Sequence, residues 1–440
     1  MLYTICYFSA LVSVVIIFIR YKLGIMSVIL LAEQAVIAFF AILCIKENLI
    51  PSNQLRIWPY LLLAFSGVVC CMPFVYFQKR HSENAEFDVD INILRIFAIV
   101  YIFLTFFAIA TYWPHVKELL ISQEWGANRD YRYDNEFVVA NNIFEWIGIN
   151  SMKYLSVPAI MTYFILECKN EYSGVRYALL FAIIIGNFMR AMDDSSRGII
   201  LDFFLLLVSA FFAFSRWMPK RNKRKLYMLF GTLGVVALIF GIAVTTSRFD
   251  KRSAEFGENS SFGSLIYYFG QSPVVFNNNV SHADNPLLGL HMFGVFFPFL
   301  GIPDTFSQAL TGTWWSTWFY TYVGYFYVDY GLLGTIIIIV CLSYCIYRLT
   351  DKQNISLSSL CILFYFYSFI QKGLFVIGRT YIIEYAIYAV IIILIKLTEM
   401  MIQKSKRKSQ GCRYFLSKNV YIGDNMGLIP KHNDSCKYIR

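Results

Sequence analysis

Charge is what this chain has least of. Of its 440 residues only 15% are Asp, Glu, Lys or Arg, against 58% hydrophobic and 18% aromatic. A soluble domain carries about a quarter charged residues, so the main solvent of this chain is lipid. Other absences narrow the chemistry. No Cys-x-x-Cys pair occurs and the ten cysteines are scattered, mostly inside apolar runs, which argues against a zinc site or a disulfide framework. Walker loop, HExxH, GxSxG and strand-linked G-x-G-x-x-G signatures are all missing, so neither a nucleotide nor a metal cofactor is expected. There is no internal repeat and no low-complexity tract.

What is present is a series of apolar runs, near 2–19, 23–45, 57–77, 91–112, 151–167, 177–192, 197–215, 226–246, 317–347, 355–371 and 379–397. They predict an all-α, polytopic helical membrane protein of about eleven transmembrane helices, because only helices satisfy their own backbone in lipid. The run at 317–347 exceeds one span, so its first part is expected at the interface. Residues 287–302 are apolar but short and are broken by Pro298, which reads as a re-entrant or interfacial segment. The membrane domain is expected to cover 1–398 and a cytoplasmic tail 399–440.

The net charge of +10 is concentrated in two clusters, with six Lys/Arg in 216–225 and six more in 396–413. No charge precedes the first apolar run, while Arg20 and Lys22 follow it, so that run reads as an uncleaved span with its N-terminus outside. An eleven-span chain entered this way puts both basic clusters in the cytoplasm, as the positive-inside rule asks. Two long loops, about 113–150 and 247–316, then fall outside. The first is acidic and aromatic. The second carries Tyr267-Tyr268, Asn277 to Asn279 and Trp314-Trp315, a mixture that suits sugars as well as it suits an aromatic belt at the headgroups.

In that topology Arg190, Arg197, Arg248, Arg252 and Arg379 all lie on the outer side, with Lys251 and Lys372 nearby. Positive charge kept on the side that disfavours it calls for an anion, and guanidinium forks hold phosphate bidentately. Asp193 and Asp194, inside Arg190-Ala-Met-Asp-Asp-Ser-Ser-Arg197-Gly198, read as partners of these arginines in preference to a metal pair.

Thr317 to Thr321, then Tyr325-Phe-Tyr327-Val-Asp329-Tyr330-Gly331-Leu-Leu-Gly334 and an isoleucine run, resemble the late-span signature of bacterial oligosaccharide repeat-unit polymerases, the Wzy-type O-antigen and capsule polymerases. Ser195 to Gly198, and Ser247-Arg248 ahead of a long outer loop, add to the likeness, which covers about 190–340 in pieces. Tyr330 stands where that family often has Phe. The resemblance implies a glycosyltransferase of the bacterial inner membrane, acting on undecaprenyl-diphosphate-linked oligosaccharides at the outer face. A chain-length regulator and a flippase would be partners, and nucleic acid would not. It implies Arg248 and Arg252 at the leaving diphosphate, with Arg190, Arg197, Arg379, Asp193, Asp194 and Asp329 binding substrate. His282, Asp284, His291 and Asp304 are candidates for the base, His282 being the one carried forward. A lipid-linked oligosaccharide flippase and an O-antigen ligase are the alternatives. The charge pattern makes one direct prediction: reporter fusions after residue 225 and after residue 405 both report cytoplasm, and a periplasmic signal at 405 would mean that 287–302 spans.

Overall fold

The computed structural model describes residues 1–51, 54–81, 86–122, 125, 128, 142–249, 260–282, 286–302, 321–352, 354–375 and 381–426. Their helices are α1 (Leu2–Arg20), α2 (Ile25–Lys46), α3 (Ile57–Arg80), α4 (Ile91–Ser122), α5 (Ile143–Tyr154), α6 (Ser156–Lys169) and α7 (Ser173–Asp193). They continue with α8 (Arg197–Phe214), α9 (Lys220–Phe249), α10 (Ser260–Asn278), α11 (Leu290–Phe293), α12 (Tyr322–Thr350), α13 (Leu357–Gly373) and α14 (Tyr381–Met426). Among the described residues the one extended pairing outside helices is a single bridge between Phe87 and Ile355. Met1–Tyr388 form one compact unit, and Ala389–Arg440, which contain the later turns of α14, form another.

All eleven apolar runs become helices. Nine of them, α1 to α4, α7 to α9, α12 and α14, are long and apolar enough to cross a membrane. The chain is an all-α, multi-pass membrane protein. The other two runs are shorter than expected. The run at 151–167 is split at Leu155 (φ −100°, ψ 2°) into α5 and α6, and α6 has 14 residues while α13 has 17. Every residue of α6 from Val157 to Glu167 is buried, and nearly all of α13 is too. A helix enclosed by other helices meets protein on every side, so the length of its apolar run is not set by lipid thickness alone.

Both expected outer loops hold more helix than their polarity suggests. α4 continues through Pro114 to Ser122, and α5 begins inside 113–150, at Ile143. Within 247–316, α10 packs along α2, α3 and α9. Two features make this docking possible. Gly270 lies so close to α2 that a β-carbon there would be 2.4 Å from the carbonyl of Phe40, and Cys44 Sγ bonds the Ile266 carbonyl oxygen at 3.1 Å. Small residues let backbones approach in this way, which hydropathy does not reveal. The segment 287–302 forms only α11 and a 3-10 stretch, Gly294–Leu300, and gives no spanning helix.

The connections gather at two ends. At the basic end Arg80 pairs with Asp351, and the His81 ring meets the carbonyls of Phe77 and Lys352 at 2.9 and 3.0 Å. Arg216 Nη1 donates to the Gln78 carbonyl at 3.0 Å, and Lys169 Nζ to that of Phe87 at 3.2 Å. Arg176 and Glu167 make a 2.7 Å ion pair with both side chains almost wholly buried. At the opposite end Asn277 bridges the backbone of Arg56, and Leu287 and Leu288 hang by their amides from the carbonyls of Val328 and Asp329.

The docking of α10 can be tested directly. Gly270→Ala is expected to cost about 1–3 kcal/mol by forcing α10 off α2, seen as a lower melting temperature in detergent. Gly231→Ala, where no neighbour lies within 4 Å of the added carbon, serves as the control and leaves stability unchanged or slightly raised. Equal behaviour of the two would remove α10 from the packed bundle.

Candidate anion site at the end opposite residues 216–225

The site begins with the last turn of α7. Its chain reverses through Asp194, Ser195 and Ser196, whose amides return to the carbonyls of Arg190, Met192 and Ala191 at 3.0, 2.9 and 2.9 Å. Ser195 takes φ +46°, a left-handed conformation that costs a non-glycine residue free energy. Asn128 supports it, donating through Nδ2 to the Asp193 carbonyl at 3.0 Å and to Ser195 Oγ at 2.7 Å. Asp193, 2% exposed, meets Nδ1 of His115 on α4 at 2.8 Å. Among the described residues Asp193 thus faces a histidine, and Asp194 lies within electrostatic range of Arg190.

Arg190 projects among Asp194, Tyr112, Glu384 and Tyr388. Among the described residues its guanidinium makes no hydrogen bond and no ion pair. Two lysines share this region. Lys153 on α5 pairs with Glu384 at 2.7 Å. Lys372, in the last turn of α13 where a helix favours positive charge, lies within electrostatic range of Glu384, Tyr388 and Asp202. Aromatic rings wall the cluster. Tyr365 stacks on Tyr388 with centroids 4.2 Å apart, and its hydroxyl donates to the Tyr154 carbonyl at 2.7 Å. Arg190, Lys153 and Lys372 all act on Glu384, while Asp194 and Asp202 lie within range of Arg190 and Lys372, so an anionic group entering here would have to replace a carboxylate as the partner of these cations. Among the described residues no three His, Cys, Asp or Glu side chains are grouped to hold a metal.

Other expected residues lie elsewhere. Asp329 is wholly buried, and its two carboxylate oxygens accept the amides of His291 and Met292 at 2.9 and 2.8 Å. The bend that presents it is Gly331, at φ +64°, where α12 leaves helical geometry. Only glycine takes that conformation without strain, so Asp329-Tyr330-Gly331 acts here as a corner that caps α11. His291 is buried against Tyr325, with ring centroids 5.2 Å apart. His282 points its Nε2 to the Gln54 carbonyl at 3.2 Å. That contact sits beside a cleft of about 380 Å³ bounded by Tyr267, Gln54, Asn278 and Asn279 over an apolar floor of Leu49, Ile50 and Val275. Arg197 opens α8 and Arg248 belongs to the last turn of α9, but their side chains fall outside the described residues. Lys251, Arg252, Asp284, Asp304 and Arg379 also lie outside them.

Of the residues expected at the site, the structure thus gathers Arg190, Asp194 and Lys372. Reading the sequence missed His115, Lys153, Asp202 and Glu384. Asp202 and Glu384 had a signal, since each is an isolated acid inside an apolar run. No protein-family model, curated protein or solved structure matches this chain.

The Lys153–Glu384 pair makes a clean test of the cluster. Lys153→Glu, which faces two carboxylates, is expected to lower the folded fraction in membranes, and the double exchange Lys153→Glu/Glu384→Lys to restore it. A coupling energy of about 0.5–3 kcal/mol in that cycle is expected. Additive losses would show that the two residues do not meet.

Proposed function

We propose that the chain is a glycosyltransferase of the bacterial inner membrane that joins lipid-linked oligosaccharide repeat units at its outer face, for O-antigen, capsule or exopolysaccharide synthesis. The observation that carries this reading is Arg190. It is a guanidinium without an ion pair among the described residues, grouped with Lys153 and Lys372 at the end of the bundle away from the basic residues 216–225. A polyprenyl-diphosphate donor supplies the complementary anion. In the reaction the acceptor hydroxyl oxygen attacks the anomeric carbon, the bond from that carbon to the phosphate oxygen breaks, and the electron pair leaves on the diphosphate. Arg190 and Lys372 would stabilise the developing charge. Glu384, released from Lys153 and Lys372 by the incoming diphosphate, is placed to accept the hydroxyl proton. The resemblance of Asp329-Tyr330-Gly331 and its flanks to the Wzy-type polymerases supports the same substrate class.

The transporter reading has one observation in its favour. Glu33 and Asp202 are acidic side chains set in apolar helices away from the helix ends, where glycosyl transfer at the surface has no need of them. Surface polysaccharide from a deletion strain separates the readings. Material capped by a single repeat unit indicates a polymerase, inward-facing lipid-linked units indicate a flippase, and polymer left unattached indicates a ligase.

For the polymerase, loss of one charge-assisted contact made in the transition state is worth about 1.5–3 kcal/mol, so Arg190→Ala is expected to slow chain growth about 10- to 100-fold. Arg190→Lys keeps charge but loses the planar fork and is expected to shorten the polymer as well. Chain-length distribution at matched membrane abundance is the measurement. Wild-type polymer from both variants would remove Arg190 from the site.

A further inference from the structure

α2 carries Glu33 midway along its length, half-buried as a residue. Both of its carboxylate oxygens are cut off from solvent and accept no hydrogen bond. The acid that faces it is Asp202 on α8. Gln371 on α13 completes the group. It is 1% exposed, its amide nitrogen donates to the Asp202 carbonyl at 3.2 Å, and its own carbonyl oxygen Oε1 is buried without a partner. Two of these helices thus carry buried acceptor oxygens, on Glu33 and Gln371, that no described donor answers, and Asp202 lies within electrostatic range of the first and is bonded through its backbone to the second.

Which groups could answer them is limited. α8 brings Asp202 and α13 brings Tyr367, whose hydroxyl is held by Ser209 at 2.5 Å. Tyr7 of α1 is bonded to Gln34, the residue after Glu33, and Cys71 of α3 lies within range of Tyr367. Lys372 and Arg190 reach Asp202, and among the described residues no such cation lies beside Glu33. A carboxylate in this position is too costly to stand alone. With Asp202 balanced by Lys372, one unit of negative charge remains, which selects a single positive charge over a divalent ion.

We propose that Glu33, Asp202 and the Gln371 carbonyl form a binding site for one monovalent cation, a proton or sodium, inside the bundle. Oxygen-only donors suit either one, because a hard cation takes carboxylate and amide oxygens and a proton needs only a pair of acceptors. The inference goes beyond glycosyl transfer and does not depend on it.

The test uses the full chain in detergent micelles, treated with dicyclohexylcarbodiimide, which modifies carboxylic acids in apolar surroundings only when they hold a proton. Peptide mass spectrometry is expected to find the adduct on Glu33, to lose it in Glu33→Gln, and to show it falling as the buffer is made alkaline. Adding sodium at constant pH, with potassium as control, separates the two cations: protection identifies a sodium site and unchanged labelling identifies a proton site. Infrared spectra provide a second readout that does not depend on reagent access, through a protonated-carboxyl band lost in Glu33→Gln. Without an adduct on Glu33, such a band or any sodium-dependent spectral change, the site does not exist. Labelling that ignores both pH and sodium overturns it equally.

Discussion

A bilayer interior offers no hydrogen bonds, so each polar group taken into it has to find a partner on a neighbouring helix or carry a function. That constraint orders this bundle. Thr4 on α1 meets the Tyr60 hydroxyl on α3 at 3.0 Å, and Gln34 on α2 meets both the Tyr7 hydroxyl and the Leu63 carbonyl. Ser209 on α8 reaches Tyr367 on α13, and Ser272 on α10 reaches the carbonyl of Phe375 at 2.7 Å. Dispersion alone would leave helix neighbours poorly specified, because lipid tails and Leu side chains attract one another about equally. These polar contacts, together with glycines such as Gly270, select which helices lie together.

The two ends of the bundle treat charge differently. At the basic end it is matched: Arg80 with Asp351, Arg176 with Glu167, and Lys169 and Arg216 with backbone carbonyls. Pairs of this kind hold geometry, and losing one partner of a buried pair is costly because the other stays behind. At the opposite end the described side chains include a guanidinium without an ion pair, and a glutamate serves two lysines. An arrangement of that kind responds to whatever anion arrives. It is also where Ser195 takes its left-handed conformation, held by Asn128.

The signature residues show what one motif does in the fold. Asp329 reads in the sequence as a polar residue ahead of an apolar span. In the fold it caps α11 and fixes 287–302 against the bend at Gly331. Its chemistry is spent on backbone amides, so its influence on any bound sugar would pass through the position of α11. The cleft beside His282 depends on another such arrangement, in which α10 and the α2–α3 connection meet through Asn277 and Asn278.

Local composition determined a large part of this protein by itself. Runs such as 2–19 and 57–77 are long and uncharged, and an unpaired backbone in lipid is too costly to be anything but helix, so class and approximate span positions follow without tertiary information. The basic clusters at 216–225 and 396–413 likewise mark one side wherever the helices pack. Arg190 and Asp194 were legible as a site because charge between two spans is conspicuous. The sequence could not show that α10 docks, since that depends on Gly270 meeting Phe40, or that Asp193 turns to His115, 78 positions away in the chain. Nor could it bring Lys153, Lys372 and Glu384 together from three separate helices. Hydropathy records what a segment prefers as solvent. Which side chains converge is decided by the contacts between helices, and only the tertiary structure holds those.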